Sequence, residues 1–145
     1  MATTWVITAN SEYGRILEAK DATGPLEELE TLVSATARLH EQDMVSDRPG
    51  RSYDSVGGGR HAMDPGEDAK HTEAKRFSKE IAVTIDAALE KKRFDRLVLV
   101  APPAFLGLLR ESIGDGAAKL VTHEIDKNIV RLDLKSLREH LPDRI

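Results

Sequence analysis

The chain has 145 residues, of which 40% are hydrophobic, 32% charged and only 4% aromatic, and its formal net charge is −4. The absence of cysteine excludes disulfides, thiolate catalysis and thiolate metal sites, and the acidic balance gives no whole-surface attraction to nucleic acid, so DNA is not an expected partner. No stretch approaches the ~20 apolar residues that span a bilayer, so membrane insertion is not expected.

The length suits one domain over residues 1–145, with a core built from Val, Ile, Leu and Ala because aromatics are scarce. The opening Met1-Ala-Thr-Thr-Trp-Val-Ile-Thr-Ala-Asn10 has no basic region and no long apolar run. It reads as no export signal, and the default compartment is the cytoplasm.

Trp5 to Ala9 is β-branched and apolar, the pattern of a strand covered on both faces. Asn10 to Gly14 is turn chemistry, with Gly14 free to take a positive φ. Arg15 to Ala19 completes a hairpin. Leu26 to Ala37 alternates loosely and suits a third strand, with Leu29, Thr31 and Val33 on one face. The polar stretch from about residue 41 to 65 reads as one long loop, and long connections of this kind are usually functional or disordered. A helix starts at Pro65, carries Phe77, Ile81, Ile85, Ala88 and Leu89 at helical spacing, and ends near Lys91-Lys92-Arg93. Asp95 to Ala101 is a central strand. Pro102-Pro103 stops it, and Phe105, Leu106, Leu109 and Ile113 mark a short helix ending at Gly114 or Gly116. Lys119 to Ile125 suits another strand. Asp133 caps a closing helix whose Leu134, Leu137 and Leu141 face inward. The expected fold is α/β: a mixed sheet of about five strands, three helices and a long Gly/Arg-rich loop. In such sheets ligands favour the crevice beyond the carboxyl ends of the strands, which here includes Ala101 to Phe105.

The segment Ser46 to His61 holds most of the unexplained chemistry. Arg48, Arg51 and Arg60 supply planar forks for phosphate or carboxylate. Tyr53 offers a ring for stacking on a base, and Ser52 a hydroxyl. Gly57, Gly58 and Gly59 let backbone N–H groups approach an anion, although neither a P-loop nor a dinucleotide spacing is present. Asp47 and Asp54 offer internal ion pairs as the alternative use of these arginines. His40, His61, His71 and His123 match no compact metal-ligand spacing, even with Asp64, Glu67 and Asp68 nearby, so no metal is assigned and no cofactor is implied. Ser11, Ser52 and Ser55 lack a nucleophile-elbow context. The 25 acidic residues are spread along the chain, and Glu124 and Asp126 are read as facing opposite ways on their strand. No catalytic residue is assigned, and the reading leans away from an enzyme.

Arg38 to Ser55, followed by Gly57-Gly-Gly-Arg-His-Ala-Met-Asp-Pro65, resembles the signature of the bacterial host attachment protein family, proteins required for attachment to host cells. So do Trp5 to Asn10, Glu73 to Glu80, Phe94 to Leu109 and Glu124-Ile-Asp-Lys127. After that last motif the family commonly continues with an acid and then Leu-Thr, whereas this chain reads Asn128-Ile-Val, so no role for an acid is carried over to this place. Family members also resemble the middle domain of archaeal and eukaryotic peptide-chain release factors, which places a Gly-Gly-Gln loop in the ribosome. Here Gly57-Gly-Gly-Arg60 has no glutamine, and hydrolysis of peptidyl-tRNA by that route is not implied. What the resemblance implies is a binding protein whose segment 46–61 contacts RNA or the ribosome through Arg48, Arg51, Ser52, Tyr53, Gly57, Gly58, Gly59, Arg60 and His61. Host attachment is then an indirect outcome. The alternatives are a surface or secreted adhesion factor, and a metal-dependent hydrolase of RNA or nucleotide that would need a metal near His61 and His71. The oligomeric state is left open.

Overall fold

A computed structural model describes residues 2–46 and 65–145, with side chains described over 2–41 and 68–145. The chain runs β1 (Thr4–Ala9), β2 (Tyr13–Ala19), β3 (Glu27–Val33), α1 (Ala35–Ser46), α2 (Pro65–Glu90), β4 (Arg96–Ala101), α3 (Pro103–Ser112), α4 (Asp115–Leu120), β5 (Val121–Asp126) and α5 (Leu134–Glu139). The five strands form one mixed sheet in the order β3-β2-β1-β4-β5. β1 pairs antiparallel with β2 and parallel with β4; β2–β3 is antiparallel and β4–β5 parallel.

β1 and β4 are the central pair and are buried on both faces, apart from Arg96 at the start of β4. That explains their unbroken apolar composition, since each residue meets a covering layer whichever way it points. On one face Trp5, Ile7, Ile16, Leu97 and Leu99 meet Phe77, Ile81 and Ile85 of α2 and Phe105 and Leu109 of α3. On the other, Val6, Leu17, Val98 and Val100 meet Leu137, Leu141 and Ile145. The helical spacings read in α2 and α3 therefore mark the core face. Asp133 caps α5 as expected, its carboxylate accepting from the Ser136 amide at 2.7 Å.

Several expectations are corrected. The strand foreseen over Leu26–Ala37 stops at Val33, because Ser34 opens a helix: its hydroxyl accepts from the Ala37 amide at 3.1 Å and its carbonyl from Arg38 at 3.0 Å. The first residues of the foreseen loop, 41–46, belong to that helix. α4 occupies Lys119 and Leu120, so β5 begins at Val121; the expected α/β fold with a mixed five-strand sheet is present, and three of the five helical segments among the described residues have seven residues or more. Gly14 takes no positive φ. A Cβ there would sit 3.0 Å from Ile81 Cδ1, so the position is small to let α2 approach the sheet. The long helix ends in a left-handed residue, Lys92 at φ 54. Its amide donates to Leu89 O at 2.8 Å and that of Arg93 to Ala88 O at 3.0 Å, the paired bonds of a Schellman ending.

Both edge strands carry a bulge. Ile16 faces Glu30 and Leu17 faces Glu28, leaving Leu29 unpaired and breaking the alternation expected for Leu29, Thr31 and Val33. Leu97 faces Val121 and Val98 faces His123, leaving Thr122 unpaired.

Thr4 and Thr8 share the Val6 face of β1 and are fully buried, and neither hydroxyl has a hydrogen-bond partner. Thr4→Val and Thr8→Val keep the shape and remove the orphan. Each is expected to raise stability by about 1 kcal/mol. The measurement is a urea melt, with a higher midpoint at unchanged slope; a lower midpoint in both variants would mean that the hydroxyls are bonded in solution.

Candidate functional site

The parallel strands β1, β4 and β5 end on the same side of the sheet, where their continuations diverge to form a cleft of about 680 Å³. The β1–β2 turn supplies Asn10, Ser11 and Glu12. The first turns of α2 supply Asp68, Lys70, His71 and Ala74. Pro102, Ala104, Phe105 and Leu108 come from the β4–α3 junction, and Asn128 from beyond β5. The crevice expected at Ala101–Phe105 is thus present. Asn10, Lys70, His71 and Asn128 were missed as its members, although the strand-end rule that located the crevice also points to the residues following β1 and β5.

Asn10 fixes the rim. Its side-chain oxygen accepts from the amides of Glu12 and Tyr13, both at 2.8 Å, which closes the turn as an Asx motif. Its side-chain amide donates to Asn128 Oδ1 at 3.1 Å, joining the ends of β1 and β5 across the cleft. At Asn128 the acceptor is thus a neutral amide. Pro102-Pro103 ends β4 and starts α3 with no side-chain cap, so polarity at this wall comes from the first-turn backbone amides. Lys70 and His71 bring cationic capacity, and Glu12 and Asp68 carboxylates. The cleft suits recognition of a polar ligand over an apolar floor.

Around the rim, charged groups hold the frame. The Tyr13 hydroxyl donates to Glu41 at 2.9 Å, tying β2 to α1, while the Arg131 guanidinium lies 4.3 Å from the centre of its ring. The hydrogen bond to Glu41 and then burial push the phenol above its ordinary range, with Arg131 opposing. Arg15 donates to Val130 O and Leu132 O at 2.9 and 2.6 Å and pairs with Glu28 at 2.8 Å. Arg15 and then Thr31 hold Glu28 below the usual carboxylate range. Arg110 chelates Glu124 and lowers that carboxyl likewise. Glu124 and Asp126 are two residues apart and both exposed, so they share a strand face, contrary to the sequence reading. Among the described residues no three His, Asp or Glu side chains converge as a metal-holding group, and no helix is long and apolar enough to cross a membrane.

The predicted contact residues Arg48, Arg51, Ser52, Tyr53, Gly57, Gly58, Gly59, Arg60 and His61 lie outside the described residues. What is described is their frame: α1 ends at Ser46, and α2 begins at Pro65 and turns directly into the cleft wall.

The sequence profile of proteins required for attachment to host cells matches residues 5–141. The chain belongs to that host attachment family. Among curated proteins no match is found. Solved structures similar in fold include two that each extend well beyond this chain. One is an archaeal translation termination factor, at TM-score 0.45 and 12% identity, covering 97% of this chain and 35% of that one. The other is the Ppx/GppA phosphatase of Aquifex aeolicus, at TM-score 0.39 and 16% identity, covering 87% of this chain and 36% of that one. The chain therefore spans about a third of the length of each.

Proposed function

We propose that this host attachment family member is a non-enzymatic cytoplasmic binding protein. In this reading segment 46–61 contacts RNA or the ribosome, and attachment to host cells follows indirectly. The observation that carries it is the position of α2. The helix starts where the Arg/Gly-rich segment ends, and within two turns its Lys70 and His71 line the cleft at the strand ends. Arginine forks and close-approach glycines are together suited to a phosphate backbone, and Lys70 and His71 offer donors beside them, with Glu12 and Asp68 in the same cleft. An overall charge of −4 confines such attraction to this local surface.

The test is sedimentation of a lysate containing the tagged protein through a sucrose gradient, beside a variant with Arg48, Arg51 and Arg60 changed to Ala. Co-migration of the wild type with ribosomal particles and its loss in the variant is the expected result. Both proteins remaining at the top of the gradient would overturn stable ribosome binding.

The family's description favours a second reading, a surface factor acting directly in adhesion. Cleavage of the protein by protease added to intact washed cells would support it and count against the cytoplasmic reading.

A further inference from the structure

We propose that the cavity beside α5 is a site for a small, neutral, flat aromatic ligand that stacks on the guanidinium of Arg138. The proposal is independent of the RNA reading and concerns a different part of the molecule.

This cavity, of about 550 Å³, lies between the β2–β3 connection, which supplies Pro25 and Leu26, and α5, which supplies Leu134 and Arg138. Ala19 at the end of β2 stands beside Thr4 at the start of β1, so the connection sits where the parallel strands begin, at the opposite end of the sheet from the cleft. The faces differ too. Leu26 and Leu134 belong to the core on the Val6 face, whereas Phe105 and Leu108 of the cleft belong to the core under α2 and α3. The volume falls within the roughly 300–1,000 Å³ of small-molecule sites.

Arg138 decides the ligand class. Its Nε donates to Gly24 O at 3.0 Å, Nη1 to Pro142 O at 2.7 Å, and Nη2 to Ala22 O and Asp143 O at 3.3 and 2.8 Å. The N–H bonds of a guanidinium lie in its plane, so these four carbonyls occupy its edges. One N–H is left, too few for the two-pronged grip of a carboxylate or phosphate. What the group still offers to the cavity is its flat face, and that face attracts an aromatic ring. The carbonyls also hold the group still, so stacking on it costs little side-chain freedom.

The surroundings agree. Pro25, Leu26 and Leu134 give apolar walls for the rest of the ring. The charges lining the cavity balance, Lys135 and Arg138 against Glu139 and Asp143. An ion of either sign gains nothing from such a rim, while a neutral ring has no charge to desolvate on entry.

The experiment titrates the full chain with benzyl alcohol and, separately, with cyclohexylmethanol, an alcohol of matched size without a π-system. The Nε–H resonance of Arg138 and the backbone amides of α5 are followed by NMR. A ring over the guanidinium is expected to move the Arg138 Nε–H upfield in a saturable way, and benzyl alcohol is expected to bind about fivefold tighter than its saturated partner. Leu134→Ala removes a wall without touching the carbonyl bonds and is expected to weaken benzyl alcohol about fivefold. An unshifted Arg138 resonance in that variant before titration shows that the guanidinium is still held. An Arg138 Nε–H that does not move with benzyl alcohol overturns the site. Equal affinity for the two alcohols overturns the stacking, as do shifts confined to residues of the cleft. None of these results bears on segment 46–61, so the RNA reading stands or falls separately.

Discussion

Phe77→Ala is expected to cost about 4 kcal/mol of stability, the largest loss from any single side chain of α2. Phe77 is 1% exposed and sits where three elements meet. Its ring centre is 6.0 Å from that of Phe105 on α3, and its Cζ lies 3.6 Å from where a Cβ on Gly14 of β2 would stand. A cavity there has a sheet on one side and a helix on the other, so little can collapse into it, and such sites give the upper range of truncation costs. Phe77→Leu retains most of the volume and is expected to lose about 1.5 kcal/mol. The check is a urea denaturation series. A loss below about 1 kcal/mol for the alanine variant would mean that α2 is not held on the sheet through this ring. Phe77 also anchors the helix whose Lys70 and His71 line the cleft.

The second large effect is expected at Arg138. One guanidinium donates to four carbonyls: Gly24 at 3.0 Å and Ala22 at 3.3 Å in the β2–β3 connection, and Pro142 at 2.7 Å and Asp143 at 2.8 Å after α5. It thereby pins the last residues against the sheet, where Ile145 is buried and its amide donates to Ala22 O at 2.9 Å. Arg138→Ala leaves these acceptors to partial hydration and releases the packing of Ile145. The expected loss is about 3 kcal/mol. Arg138→Lys recovers little, because one ammonium cannot reproduce a planar fork that reaches both connections. Thermal unfolding followed by circular dichroism reads the difference; equal melting temperatures for wild type and alanine variant would show the clamp to be dispensable. Beside Arg138 lies a cavity of about 550 Å³, and this cation has committed four of its five N–H donors to the fold rather than to that cavity.

The central strands and α2 and α3 were legible because burial imposes a pattern on composition: Trp5 to Ala9 and Leu97 to Ala101 cannot be polar, and Phe77, Ile81 and Ile85 must recur at 3.6. α1 was misread because Leu26 to Ala37 has no break in composition, and Ser34 alone marks the change from strand to helix. The bulge at Leu29 leaves no trace in hydropathy. For the cleft, Pro102 to Phe105 was legible from strand order, whereas Asn10 and Asn128 meet across 118 positions and neither carries a local signal. The four-carbonyl clamp of Arg138 is equally long-range. Both depend on how the sheet closes, which local spacing does not encode.

The bulged edges limit how this protein can associate. An extended partner adds to a sheet only where an edge offers regularly spaced N–H and C=O groups, and a bulge interrupts that spacing. β3 places Glu27, Glu28 and Glu30 around its bulge, so a second copy approaching in the same way would bring like charges together; β5 is interrupted at Thr122. Strand exchange, sheet extension and fibre growth through either margin are therefore disfavoured. Among the described residues, assembly with other macromolecules is left to the helical layer and the open ends of the parallel strands.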